Sequence, residues 1–96
     1  VPAQGEGVYM LGAETLTSLS ANTVQVTVTC LSADGVALLT STAEAPATPP
    51  LPGTWRTRRA AAWCPAETVT VRLTLGNIGK GDIAFRGVTL DYLAIG

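Results

Sequence analysis

From residue 24 to residue 30 the chain reads Val-Gln-Val-Thr-Val-Thr-Cys, an unbroken alternation of apolar and polar side chains. Successive side chains of a strand point to opposite faces, so this run predicts a half-buried β-strand with Val24, Val26, Val28 and Cys30 on the inner face. Ser32-Ala33-Asp34-Gly35 then offers turn chemistry, with Gly35 free to adopt positive φ, and Val36 to Thr40 reads as the return strand of a hairpin. The cleanest alternation follows later, with Val69, Val71, Leu73 and Leu75 separated by Thr70, Arg72 and Thr74. Gly76 to Gly81 reads as the next turn.

Three stretches carry the period less regularly. Gly7 to Leu16 is a strand candidate with weaker alternation, and Thr54 to Trp63 is another, with Trp55, Ala61 and Trp63 sharing an inward face and Arg56 and Arg58 pointing outward. Arg59 falls on the same face as the tryptophans, which predicts a bulge or an exposed end there. In the last stretch Ile83 and Phe85 occupy odd positions while Val88, Leu90 and Tyr92 occupy even ones, so the inward parity flips across Arg86-Gly87. A bulge at Gly87 reconciles the two halves. Between the strands, residues 42–53 carry Pro46, Pro49, Pro50 and Pro52, which cannot donate to a sheet ladder, and read as a surface loop. No capped amphipathic helix is legible. The expectation is an all-β antiparallel β-sandwich of six or seven strands, spanning residues 8–96 behind an extended arm, residues 1–7.

Composition narrows what such a domain does. Its 96 residues make one domain and exclude a large enzyme with an interdomain cleft. Only 14% of the residues are charged, and the net charge of −1 supplies no basic field for a nucleic acid. Histidine is absent, which removes the commonest general base and metal ligand. Ser18, Ser20 and Ser32 therefore lack the usual activating partner, and Asp34, Glu44, Asp82 and Asp91 form no pair that the sequence places together, so catalysis finds no support. No metal or cofactor is expected. No apolar run is long enough to cross a bilayer as a helix. The two cysteines, Cys30 and Cys64, fit either one disulfide in an oxidising compartment or two buried thiols; the first reading implies an extracellular or cell-surface protein. The chain opens at Val1 without an initiator Met, as a leader-processed product or a trimmed chain does.

The order of these signals resembles a known family. A hairpin closing on Ala33-Asp34-Gly35, a loop ending Gly53-Thr54-Trp55, Pro65-Ala66 before Val69 to Leu75, and a Gly-rich turn leading to Gly81-Asp-Ile-Ala-Phe85 and Val88-Thr-Leu90 are similar to the C-terminal portion of galactose-binding-like jelly rolls found in carbohydrate-binding modules. The resemblance spans roughly residues 8 to 93. It implies a truncated jelly roll, short at its N-terminal side, whose missing strand leaves an open seam and an edge that pairs with another chain. Acidic residues that help hold calcium in that family are replaced here by Arg86-Gly87, which argues against a calcium site.

Two functional classes follow. One is a non-catalytic structural protomer that assembles with copies of itself, by edge pairing or strand donation, into an extracellular fibre, tube or surface layer; Val1, Pro2, Ala3, Gln4, Gly5, Glu6 and Gly7 form the arm available for donation or for covering their own edge. The other is a carbohydrate-binding module, in which Trp55 or Trp63 stacks on sugar rings and Arg56 and Arg58 contact a glycan or a partner. Against these stand plainer roles: tryptophan as core filler, and arginine as a solvated guard on a strand edge.

Overall fold

A computed structural model describes residues 1–17, 23–43, 54–78 and 82–94. Six strands are present: β1 (Gly7–Thr17), β2 (Thr23–Leu31), β3 (Ala37–Thr42), β4 (Arg56–Cys64), β5 (Thr70–Ile78) and β6 (Ile83–Ala94). They form two three-stranded antiparallel sheets, ordered β4-β1-β6 and β3-β2-β5. No described residue is helical. The chain is thus an all-β sandwich in which β1 and β2 are the central strands.

The local signals resolve into this frame with identifiable chemistry. At the β2–β3 hairpin Gly35 takes φ +78°, and its amide donates to the Ser32 carbonyl at 2.9 Å. The Ser32 hydroxyl accepts from the Val36 amide at 3.2 Å, so the turn is closed by side chain as well as backbone. On β6 Gly87 adopts φ +59°, and the β1–β6 register slips between Gly12 and Glu14, leaving Gly87 and Val88 opposite Ala13 alone. That bulge returns Phe85 and Leu90 to the same inner face, as the change of parity requires. The expected turn at Gly76 to Gly81 starts later than its glycines suggest. Gly76 and Asn77 pair with Gln25 and Val24, because the long central β2 offers ladder partners that outweigh the weak strand preference of glycine. Residues 79–81 lie outside the described set, as do residues 44–53 of the Pro-rich stretch; Thr42 at its start belongs to β3.

Tyr9 and Leu11 from β1, Val26, Val28 and Cys30 from β2, Ala60, Ala62 and Cys64 from β4, and Val71 from β5 form the buried core. Cys30 and Cys64 are bonded to each other, joining the two sheets at one end of the sandwich. This bond corrects the expected orientation of β4. With Cys64 turned inward, alternation also turns Ala62, Ala60 and Arg58 inward, and Ala61 and Trp63 outward. Trp63 is 59% exposed, and Arg58, expected on the solvent face, is half-buried on the core side. Desolvation there, with the neighbouring Arg56 charge, lowers the pKa of the Arg58 guanidinium.

Small inward side chains on β4 let it lie close across β2 and β3, while β1 packs over β2. β5 and β6 form the opposite flank, and among the described residues they are not hydrogen-bonded to each other. Leu73, Leu75, Phe85 and Leu90 line that flank half-buried, so among the described residues the core is more closed on the β3–β4 side than on the β5–β6 side, where residues 1–6 cover one end.

The Cys30–Cys64 bond closes a loop with a sequence separation of 34 residues, and a loop of that size restricts the unfolded chain by about 3–4 kcal/mol. Replacing both cysteines by alanine is therefore expected to lower the unfolding free energy by about that amount, measured by urea titration against the oxidised parent.

Candidate functional site

The N-terminal arm is placed by backbone pairing. Pro2 bridges Thr70 in antiparallel sense; the Ala3 amide donates to the Val69 carbonyl at 2.9 Å and the Val71 amide to the Val1 carbonyl at 2.8 Å. The Val1 ammonium donates to the Val71 carbonyl at 2.7 Å. The arm therefore leaves β1, crosses to the other sheet and covers the start of the β5 edge in its own chain. In the single chain, residues 1–7 are thus seen covering their own edge.

Two tyrosines hold the crossing. The Tyr9 hydroxyl accepts from the Gln4 amide at 2.7 Å and the Gly5 amide at 3.2 Å, and donates to the Gly5 carbonyl at 2.8 Å. Tyr92 lies against Tyr9 with ring centroids 4.8 Å apart and donates its hydroxyl to the Glu6 carbonyl at 3.0 Å. A Cβ at Gly7 would collide with the Leu93 carbonyl oxygen, so only glycine brings the backbone this close to β6. This clamp was not foreseen from the sequence. Its only local signal is a tyrosine on the inner face of β1, whose hydroxyl needs a partner when buried.

The four sheet edges differ in how they are guarded. β4 carries Arg56, Arg58 and Arg59, and charge on an edge opposes pairing with another strand. The start of the β5 edge is covered by the arm. β3 has no charged residue and no proline, and it exposes Leu38 and Leu39. β6 is the longest strand, with 12 residues; it is paired only with β1 among the described residues and is guarded in part, by Arg86, Asp91 and the bulge at Gly87.

The outer faces are also unlike. On the β3-β2-β5 sheet, Thr27 and Thr42 share a hydroxyl hydrogen bond at 3.1 Å, and the Thr40 hydroxyl donates to that of Thr29 at 3.5 Å. These hydroxyl pairs tie β2 to β3 across the outer face. On the β4-β1-β6 sheet, Trp63, Val8 and Leu93 stand in one row across the three strands, with Met10 beside them. Farther along, Trp55 is half-buried with the Arg86 guanidinium 3.9 Å above its ring, and Arg86 pairs with Glu14 at 3.2 Å. The structure thus separates the tryptophans: Trp63 is an open surface and Trp55 is engaged within the chain. Arg56 is exposed and Arg58 is turned away from Trp63, so the four residues grouped as a glycan or partner contact do not form one surface. Among the described residues no three His, Cys, Asp or Glu side chains converge on one point.

Removing the Tyr9 hydroxyl, as Tyr9→Phe, leaves the Gln4 and Gly5 amides and the Gly5 carbonyl without their shared partner. The expected result is a stability loss of about 1–2 kcal/mol, together with faster hydrogen exchange at Ala3 and Val71, the amides that pair the arm with β5. Comparison of the chain with protein-family models, with curated proteins and with solved structures finds no match.

Proposed function

We propose that the chain is a non-catalytic structural protomer of the extracellular space that assembles with copies of itself through its open strand edges. The observation that carries this reading is the position of two strand edges: β3, with no charge and no proline, and β6, with two charges over 12 residues against three over nine on β4. β6 borders the open flank of one sheet, and β3 borders the opposite flank of the other, so they occupy diagonal corners of the sandwich. Pairing β6 of one copy with β3 of the next uses different surfaces on each protomer. Such heterologous contacts propagate and do not close on a dimer, which suits a fibre or layer.

The apolar lining of the β5–β6 flank supports the same reading, since a strand laid along β6 would cover Phe85 and Leu90. The arm is the cap in this scheme, because it blocks the start of the β5 edge and leaves β6 as the growing edge. The Cys30–Cys64 bond is compatible with an oxidising compartment, and no helix of the described residues is long and apolar enough to cross a membrane.

A second reading, a carbohydrate-binding module, is favoured by one observation, the 59% exposure of Trp63 on a sheet face. Its neighbours in the row are Val8 and Leu93, which offer sugar hydroxyls no hydrogen bonds, and the polar groups of that face, Asp91 and Arg59, stand one and two rows away, so this reading ranks second.

Two edge variants separate the outcomes, Leu38→Lys with Thr40→Lys on β3, and Ala84→Lys with Val88→Lys on β6, all at exposed positions. Light scattering should show polymer for the parent and none for either variant alone. An equimolar mixture should form complexes containing the two variants in equal number and stop there, because each retains one working edge. A parent that stays monomeric at high concentration, or variants that polymerise as the parent does, would overturn the proposal.

A further inference from the structure

The outer face of the β4-β1-β6 sheet carries a second surface, independent of the strand edges. Leu93 is 68% exposed and Trp63 is 59% exposed, on either side of Val8, and Met10 stands one row farther along β1. An apolar row of this size on a sheet face is unusual for a surface that meets only water. Two charges border it asymmetrically. Asp91 on β6 stands in the row of Met10, and Arg59 on β4 stands in the row of Gly12. Neither has a salt-bridge partner among the described residues.

We propose that this face docks a second copy of the chain about a two-fold axis lying close to parallel with β1. Rotation about such an axis keeps each row at its height along the strand and exchanges the β4 side for the β6 side. Trp63 of each copy then lies on the partner's Leu93, and Val8 and Met10 meet their own counterparts. Arg59 falls one row from the partner's Asp91, about 6.6 Å along the strand, within the reach of an arginine side chain. The pattern is complementary to itself, as an isologous interface requires. An axis perpendicular to β1 sets β4 on β4 and β6 on β6, which leaves Arg59 and Asp91 on separate sides. The charges therefore select the parallel axis. Two aliphatic neighbours and a methionine surround the indole and the two charges stand at the border, the apolar centre and polar rim of a protein interface.

This docking stands beside the edge reading and does not depend on it, so the test is made with the Ala84→Lys, Val88→Lys chain, in which β6 pairing is disabled. Sedimentation equilibrium should show a reversible dimer whose dissociation constant rises about tenfold or more with Trp63→Ser. Arg59→Asp and Asp91→Arg should each weaken the dimer, and the two together should restore it, because the swapped pair is again opposite in sign across the axis. A dimer indifferent to Trp63→Ser, or a double swap as weak as either single change, would overturn the proposal. So would a chain that stays monomeric while its tryptophan fluorescence responds to soluble cello-oligosaccharides, which would make the face a glycan platform. Failure here with equal-number complexes in the edge experiment would leave the edge reading standing. A face dimer in a parent that shows no polymer would remove the edge reading alone.

Discussion

The bond between Cys30 and Cys64 is the constraint on which the rest of the arrangement turns. Cys30 lies next to the end of β2 and Cys64 ends β4, one in each sheet, and a bond between them forces both to face the same interior. With period-two side chains, one inward residue fixes every other residue of its strand. Val26 and Val28 become core on β2 with Val24 packed against them, and Ala60 and Ala62 become core on β4. The small alanines let β4 lie close on β2 and β3, and the aromatic side chain of Trp63 is turned to the outside. The tight flank of the sandwich and its most exposed aromatic residue thus share one cause.

The opposite flank shows what happens without such a link. β5 and β6 contribute larger side chains, Leu73, Leu75, Phe85 and Leu90, yet these remain half-buried because no strand completes the layer among the described residues. The arm answers part of this by pairing with β5 from Val69 to Val71, held by the hydroxyls of Tyr9 and Tyr92. A small domain buries a smaller fraction of its surface than a large one, and its open edges and faces are where a further chain gains most. The edge pairing and the face docking proposed above share one origin, a core too small to use all its apolar side chains.

Much of this architecture was legible in the residues. The turn at Asp34-Gly35, the bulge at Gly87 and the alternating runs on β2 and β5 each rest on local chemistry, namely positive φ at glycine and the pleat of a strand. Gly76 misled because glycine signals a turn in isolation, whereas its pairing with Gln25 is supplied by a distant strand. Trp55 and Trp63 misled for a different reason. Periodicity shows that two positions share a face, and says nothing about which side of the sheet that face is on. Only the disulfide carried the missing sign, since Cys64 sits one residue out of phase with Trp63.

The sequence by itself determined the all-β class, the placement of the strands and the two glycine-dependent features of the backbone, because these are set by neighbours within a few residues. Tertiary structure decided the rest: which face of β4 is interior, where the arm goes, which edges are guarded, and that Trp63, Val8 and Leu93 meet in one row. Each of these is a pairing between strands far apart in the chain, and the energy that selects it comes from burying surfaces that exist only once both sheets are in place.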